Sequence, residues 1–75
     1  MLRKEEIKKY SAALQPTIKK CSETKQPWDT QTIYGDVLDR IRDNYPELRN
    51  SDYDDDLVAH YAIGEYVIKH NIKRL

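Results

Sequence analysis

The residues best able to do chemistry lie close together: Asp52-Tyr53-Asp54-Asp55-Asp56, followed by His60, Glu65 and His70. Alternating aspartates open calcium-binding EF-hand loops, so cation ligation is the first chemistry to weigh. The register does not fit. Counted from Asp52, the sixth position is Leu57 where such a loop needs glycine, and the twelfth is Ile63 where it needs Glu. Counted from Asp54, the twelfth position is Glu65, but the fifth and sixth are Val58 and Ala59. Carboxylates in the first turn of a helix, facing its positive end, account for the same acids without a metal.

The histidines do not form a metal pair, because neither has a second His or Cys four residues away. His60 reads as a half-buried spacer and His70 as a cation at a helix end. Glu65 fits a pair with Lys69 one turn on, worth a few tenths of a kcal/mol. Cys21 is the only cysteine, which rules out an intramolecular disulfide and argues against a structural zinc site. On the apolar side of a helix it serves as a small buried hydrophobe. Gly35 and Gly64, the only glycines, both fall inside helical patterns, so there is no phosphate-cradling loop. The reading is a protein without catalytic, metal or cofactor-binding residues.

Charge says more. The formal net charge is zero, but residues 1–26 hold seven Lys or Arg against three Glu, residues 27–57 three Arg against nine acids, and residues 58–75 three cations against one Glu. Segregated charge without a catalytic constellation points to contact with another macromolecule. The acids Asp36, Asp39, Asp43, Asp52, Asp54, Asp55 and Asp56 form one candidate surface, which would steer a basic partner into contact. The apolar residues Ile63, Tyr66 and Val67 form a second. The alternative is a nucleic-acid module acting through Lys4, Lys8, Lys9, Lys19, Lys20 and Lys25, with phosphate binding that weakens steeply with salt. The isoelectric point of about 6.7 falls short of the basic footprint such a module shows. An Asp-led third helix would also be repelled from a phosphate backbone. The favoured reading is a non-catalytic regulatory module that binds another protein, of a type with small adaptors, inhibitors and phage-encoded host modulators. A homodimer through the third helix is a further reading.

The elements that position these residues read as an all-α, three-helix bundle with the third helix central, in one domain spanning residues 1–75. The 75 residues contain 16 Leu, Ile or Val and no Phe, so the core is small and six Tyr and Trp28 supply the aromatic bulk. Ile7, Tyr10, Leu14, Ile18 and Cys21 recur at steps of three and four, which predicts a first helix. Pro16 predicts a kink, with a break near Leu14-Gln15 as the alternative. Residues 22–27 read as a loop. A second helix runs from an Asp29 cap, with Trp28 and Ile33 as a hydrophobic staple, to about Tyr45, where Pro46 stops it. Its buried stripe is Ile33, Tyr34, Val37, Leu38, Ile41 and Tyr45, continued by Leu48.

The third helix is expected over about 54–73, with Asp54–Asp56 at one end and Lys69, His70, Lys73 and Arg74 at the other. Leu57, Tyr61, Ile68 and Ile72 form one apolar stripe, flanked by Val58. Ile63 and Val67 form a second on nearly the opposite side, so the helix has two neighbours or a seam with another chain. Mid-helix Gly64 suggests close approach of another backbone or a ring. The basic start lacks the apolar segment of a signal peptide, and no apolar run nears the ~20 residues of a membrane span. A cytosolic protein, or one of a host cytosol, is expected.

Overall fold

The computed structural model describes residues 2–24 and 30–71. Three helices and one short turn of 3-10 helix follow in order: α1 (Lys4–Thr24), α2 (Thr30–Asn44), the 3-10 turn Pro46–Leu48, and α3 (Asp54–His70). There is no strand among the described residues. α3 packs against both α1 and α2, which also touch each other, so the all-α three-helix arrangement with α3 at its centre stands.

α1 starts with Glu5 and Glu6 in its first turn, where Glu6 Oε1 accepts a hydrogen bond from the Arg3 amide at 3.4 Å. It runs through Pro16 as one helix, so the break near Leu14-Gln15 does not occur. Pro16 is exposed, and the helix extends three residues into the stretch read as a loop, with Ser22 Oγ donating to the Ile18 carbonyl at 2.9 Å. The α1 stripe buries Leu14, Ile18 and Cys21 and half-buries Ile7 and Tyr10.

α2 behaves as its spacing predicts. Ile33, Val37 and Ile41 are fully buried, and Tyr34, Leu38 and Tyr45 pack against them from the flank. Pro46 ends the helix and begins the 3-10 turn, which tucks Leu48 into the core. The Asp29 cap and the Trp28 staple lie outside the described residues, as do Lys25, Ile72, Lys73 and Arg74.

α3 has two apolar sides, as its spacing predicts, but the described chain covers only one of them. Its core face is Val58, Ala59, Ala62, Ile63 and Tyr66, all buried. Two alanines complete a face that larger residues alone did not reveal. Leu57 and Ile68 point away from the core, and Tyr61 is half-buried. The helix begins after Tyr53 in the left-handed conformation (φ 57°) and closes at Asn71 (φ 52°), whose amide donates to the carbonyls of Ile68 and Val67. Among the described residues, nothing lies within 4 Å of where a Cβ on Gly64 would stand, so the close approach expected there is not made within this chain.

Candidate interaction surface

The acids that read as one exposed patch divide into four settings. Asp54 and Asp55 are buried, at 3% and 4% exposure, because the loop before α3 and the side of α2 supply them with donors. Asn50 Nδ2 donates to Asp54 Oδ2 at 2.8 Å, while Asn50 Oδ1 accepts from the amides of Asp52 at 3.0 Å and Asp54 at 3.4 Å. Arg42 Nε donates to Asp55 Oδ2 at 3.1 Å, and Asp55 Oδ1 accepts from the Asp56 amide at 2.7 Å. These two carboxylates pin the start of α3 and do not face solvent, so they leave the candidate surface.

Asp56 occupies a second setting, a polar cluster on the α2–α3 flank. Its Oδ1 accepts from the Tyr34 hydroxyl and lies 3.4 Å from His60 Nε2, and the Tyr34 and His60 rings stack with centroids 4.7 Å apart. The hydrogen bond that the phenol donates to this carboxylate, helped by partial burial, pushes the Tyr34 pKa up to about 12. His60 is exposed and lies along Tyr34, not half-buried as a spacer.

Asp39, Asp43 and Asp52 make up the third setting and remain exposed. Asp36 is half-buried in a surface cleft of about 450 Å³ that it shares with Lys20 and Cys21 of α1 and Arg40. Among the described residues, His, Cys, Asp and Glu do not gather in threes as metal ligands would.

The seam between α1 and α3 holds polar groups with no periodic signature. Ser11 is fully buried and donates to Glu65 Oε1 at 3.2 Å. Gln15 Nε2 donates to the Ala62 carbonyl at 3.2 Å and the Ser11 carbonyl at 3.1 Å. Glu65 therefore ties α3 to α1. Where α1 meets the 3-10 turn, Tyr10 donates to Glu47 Oε2 at 3.0 Å and meets the Tyr45 ring edge-on. That hydrogen bond to a carboxylate, and then burial, raises the Tyr10 pKa. His70 is exposed at the end of α3, its ring 4.2 Å from that of Tyr66.

The apolar surface lies on the opposite side of α3 from the one expected. Ile63 and Tyr66 are core residues and Val67 packs half-buried against the core, because α1 and α2 both close over this side. The large apolar side chains exposed among the described residues are instead Tyr53 at 72%, Leu57 at 40% and Ile68 at 82%. At about 100° per residue, Leu57, Tyr61, Gly64 and Ile68 fall within about 60° of one another on the outward side of α3. Spacing does reveal this stripe, since it is the Leu57/Tyr61/Ile68 set of the sequence. What spacing could not show was which of the two stripes the bundle would cover.

The basic side chains Lys4, Lys8, Lys9, Lys19 and Lys20 are all exposed along α1, and Glu5, Glu6 and Glu23 are exposed among them. No helix of the described residues is long and apolar enough to cross a membrane. No protein-family model, curated protein or solved structure matches the chain.

Proposed function

We propose that the chain is a non-catalytic protein-interaction module whose contact face is the outward side of α3. The observation that carries this is the exposure of Ile68 and Leu57 on one side of a helix whose other side already fills the core. Exposed large apolar groups aligned at helical spacing cost solubility, and a partner surface that buries them removes that cost. The exposed acids Asp39, Asp43 and Asp52 add a charge bias at a distance from the apolar stripe, suited to steering and contributing less to affinity.

The test is site-specific photo-crosslinking in cells that express the chain. A photoreactive side chain is placed at Leu57 or Ile68, and for comparison at Lys9 or Asp39. Protein adducts are expected from the α3 positions and not from the comparison positions, and Leu57→Asp in the same chain should suppress the adducts from position 68. Equal adducts at all four positions, or none at 57 and 68, overturn the reading.

A further inference from the structure

A cleft of about 380 Å³ opens where α1 passes the end of α2. Among the described residues it is lined by Glu6, Lys9, Tyr10 and Ala13, which share one side of α1, and by Tyr45, which follows α2. Its size falls at the lower end of the ~300–1,000 Å³ of small-molecule sites. Two half-buried tyrosine rings form its walls, with centroids 5.0 Å apart and planes at 79°. The Tyr10 hydroxyl donates to Glu47 Oε2 at 3.0 Å, which fixes that ring and commits its proton. Ala13 adds only a methyl group, so the space in front of the rings stays open.

We infer that this cleft binds a small alkylated ammonium compound, its cationic head set against the Tyr10 and Tyr45 rings. The site lies apart from the outward face of α3 and does not depend on the reading of that face. Aromatic faces carry negative potential, and a cation with an apolar skin gains from them through both charge and burial. The neighbouring charges have the matching sign. Glu6 lines the cleft and Glu47 holds the Tyr10 hydroxyl; the hydrogen bond to Glu47, burial, and the charges of Glu47 and Glu6 all raise the Tyr10 pKa. Two carboxylates against one lining ammonium, that of Lys9, leave the site negative on balance.

Other occupants fit less well. An anion would find the Tyr10 proton already donated and, among the described residues, Lys9 as the one lining cation. A metal ion needs several oxygen ligands, and Glu6 is the one lining carboxylate among the described residues. The large exposed apolar side chains that would seat a protein are Tyr53, Leu57 and Ile68, none of which lines the cleft. The occupant is therefore a free compound.

The experiment is an amide NMR titration of the full chain with choline, with its neutral isostere in which carbon replaces the ammonium nitrogen, and with sodium chloride at matched ionic strength. Choline is expected to shift the amides of Glu6, Tyr10, Ala13 and Tyr45 saturably, with a dissociation constant on the order of 1 mM. The isostere should bind about fivefold more weakly, and Tyr45→Leu, which keeps the apolar bulk, should weaken choline by a similar factor. Glu6→Gln, which keeps an acceptor for the Arg3 amide, should weaken choline about twofold, and Lys9→Gln should strengthen it about twofold. Opposite effects from two exposed positions on one helix cannot come from a loss of fold.

An absence of saturable shifts with choline overturns the site. Equal binding of the isostere, shifts reproduced by sodium chloride, or weaker binding by Lys9→Gln overturn its preference for a cation. A peptide carrying a trimethylated lysine that binds more than about tenfold tighter than choline overturns the free compound as the occupant.

Discussion

Arg42 and Asp55 join α2 to α3 through a bond from Nε to Oδ2 at 3.1 Å, in which the carboxylate side chain is 6% exposed and the guanidinium side chain 44%. The asymmetry decides what each partner is worth. Removing the arginine leaves a buried carboxylate with one charge-bearing donor fewer, and water reaches it poorly. Arg42→Ala is therefore expected to lower stability by about 1–3 kcal/mol in urea titrations. Arg42→Lys should recover only part of this, because a point charge cannot reproduce the planar donor.

Asn50 is expected to matter more than its exposure suggests. Its side chain bonds the Asp54 carboxylate and accepts from the amides of Asp52 and Asp54 where α3 begins. This brace holds Tyr53 in the left-handed region that a tyrosine seldom adopts. Asn50→Ala should cost about 1–2 kcal/mol, read as a shift in urea midpoint with little change in slope. Asn50→Asp should keep the acceptor for the two amides but place a second charge beside Asp54, and should be no more stable than the alanine variant.

Stability should fall at strongly alkaline pH through Tyr34. Its folded pKa of about 12 lies above the ordinary value near 10, so the native state holds the phenol proton more tightly than the unfolded chain does. The stabilisation is complete below about pH 10 and is lost as pH rises through about 12. Absorbance of the tyrosinate band should show a late-titrating phenol that disappears in Tyr34→Phe. A titration unchanged by that substitution would show that Asp56 does not hold this proton.

Gly35 lies inside α2, and among the described residues nothing stands within 4 Å of a Cβ built there. Gly35→Ala should therefore raise stability by about 1 kcal/mol, and the thermal midpoint by about 4–8 °C. A loss of stability on differential scanning calorimetry would mean that α2 needs its flexibility at this point.

α2 was legible in the sequence because Ile33, Val37 and Ile41 are large and Pro46 marks the end; spacing and a stop signal were enough. α3 was legible as a helix from the order of its charges, but its buried face was not. Ala59 and Ala62 carry little hydrophobic weight, yet they line the side on which α3 meets its neighbours. Leu57 and Ile68 carry much more weight and face outward. Asp54 and Asp55 read as solvated for a related reason: the donors that make their burial tolerable come from Asn50 and Arg42, and the side chain–side chain partner Arg42 lies thirteen residues from Asp55. No local pattern marks such a pair. The same holds for Ser11 and Gln15, whose partners on α3 are about fifty residues distant in the chain.

Those sequence separations set an order of assembly. The Arg42–Asp55 contact between α2 and α3 spans thirteen residues, and the Asn50 brace in the connector only four, whereas Ser11–Glu65 and Gln15–Ala62 must close loops of about fifty. Loop-closure entropy favours the shorter circuits, so the helical hairpin of α2 and α3 forms in the folding transition state and α1 docks afterwards. In stopped-flow chevrons, Arg42→Ala and Asn50→Ala should slow refolding, while Ser11→Ala and Gln15→Ala should act mainly by speeding unfolding.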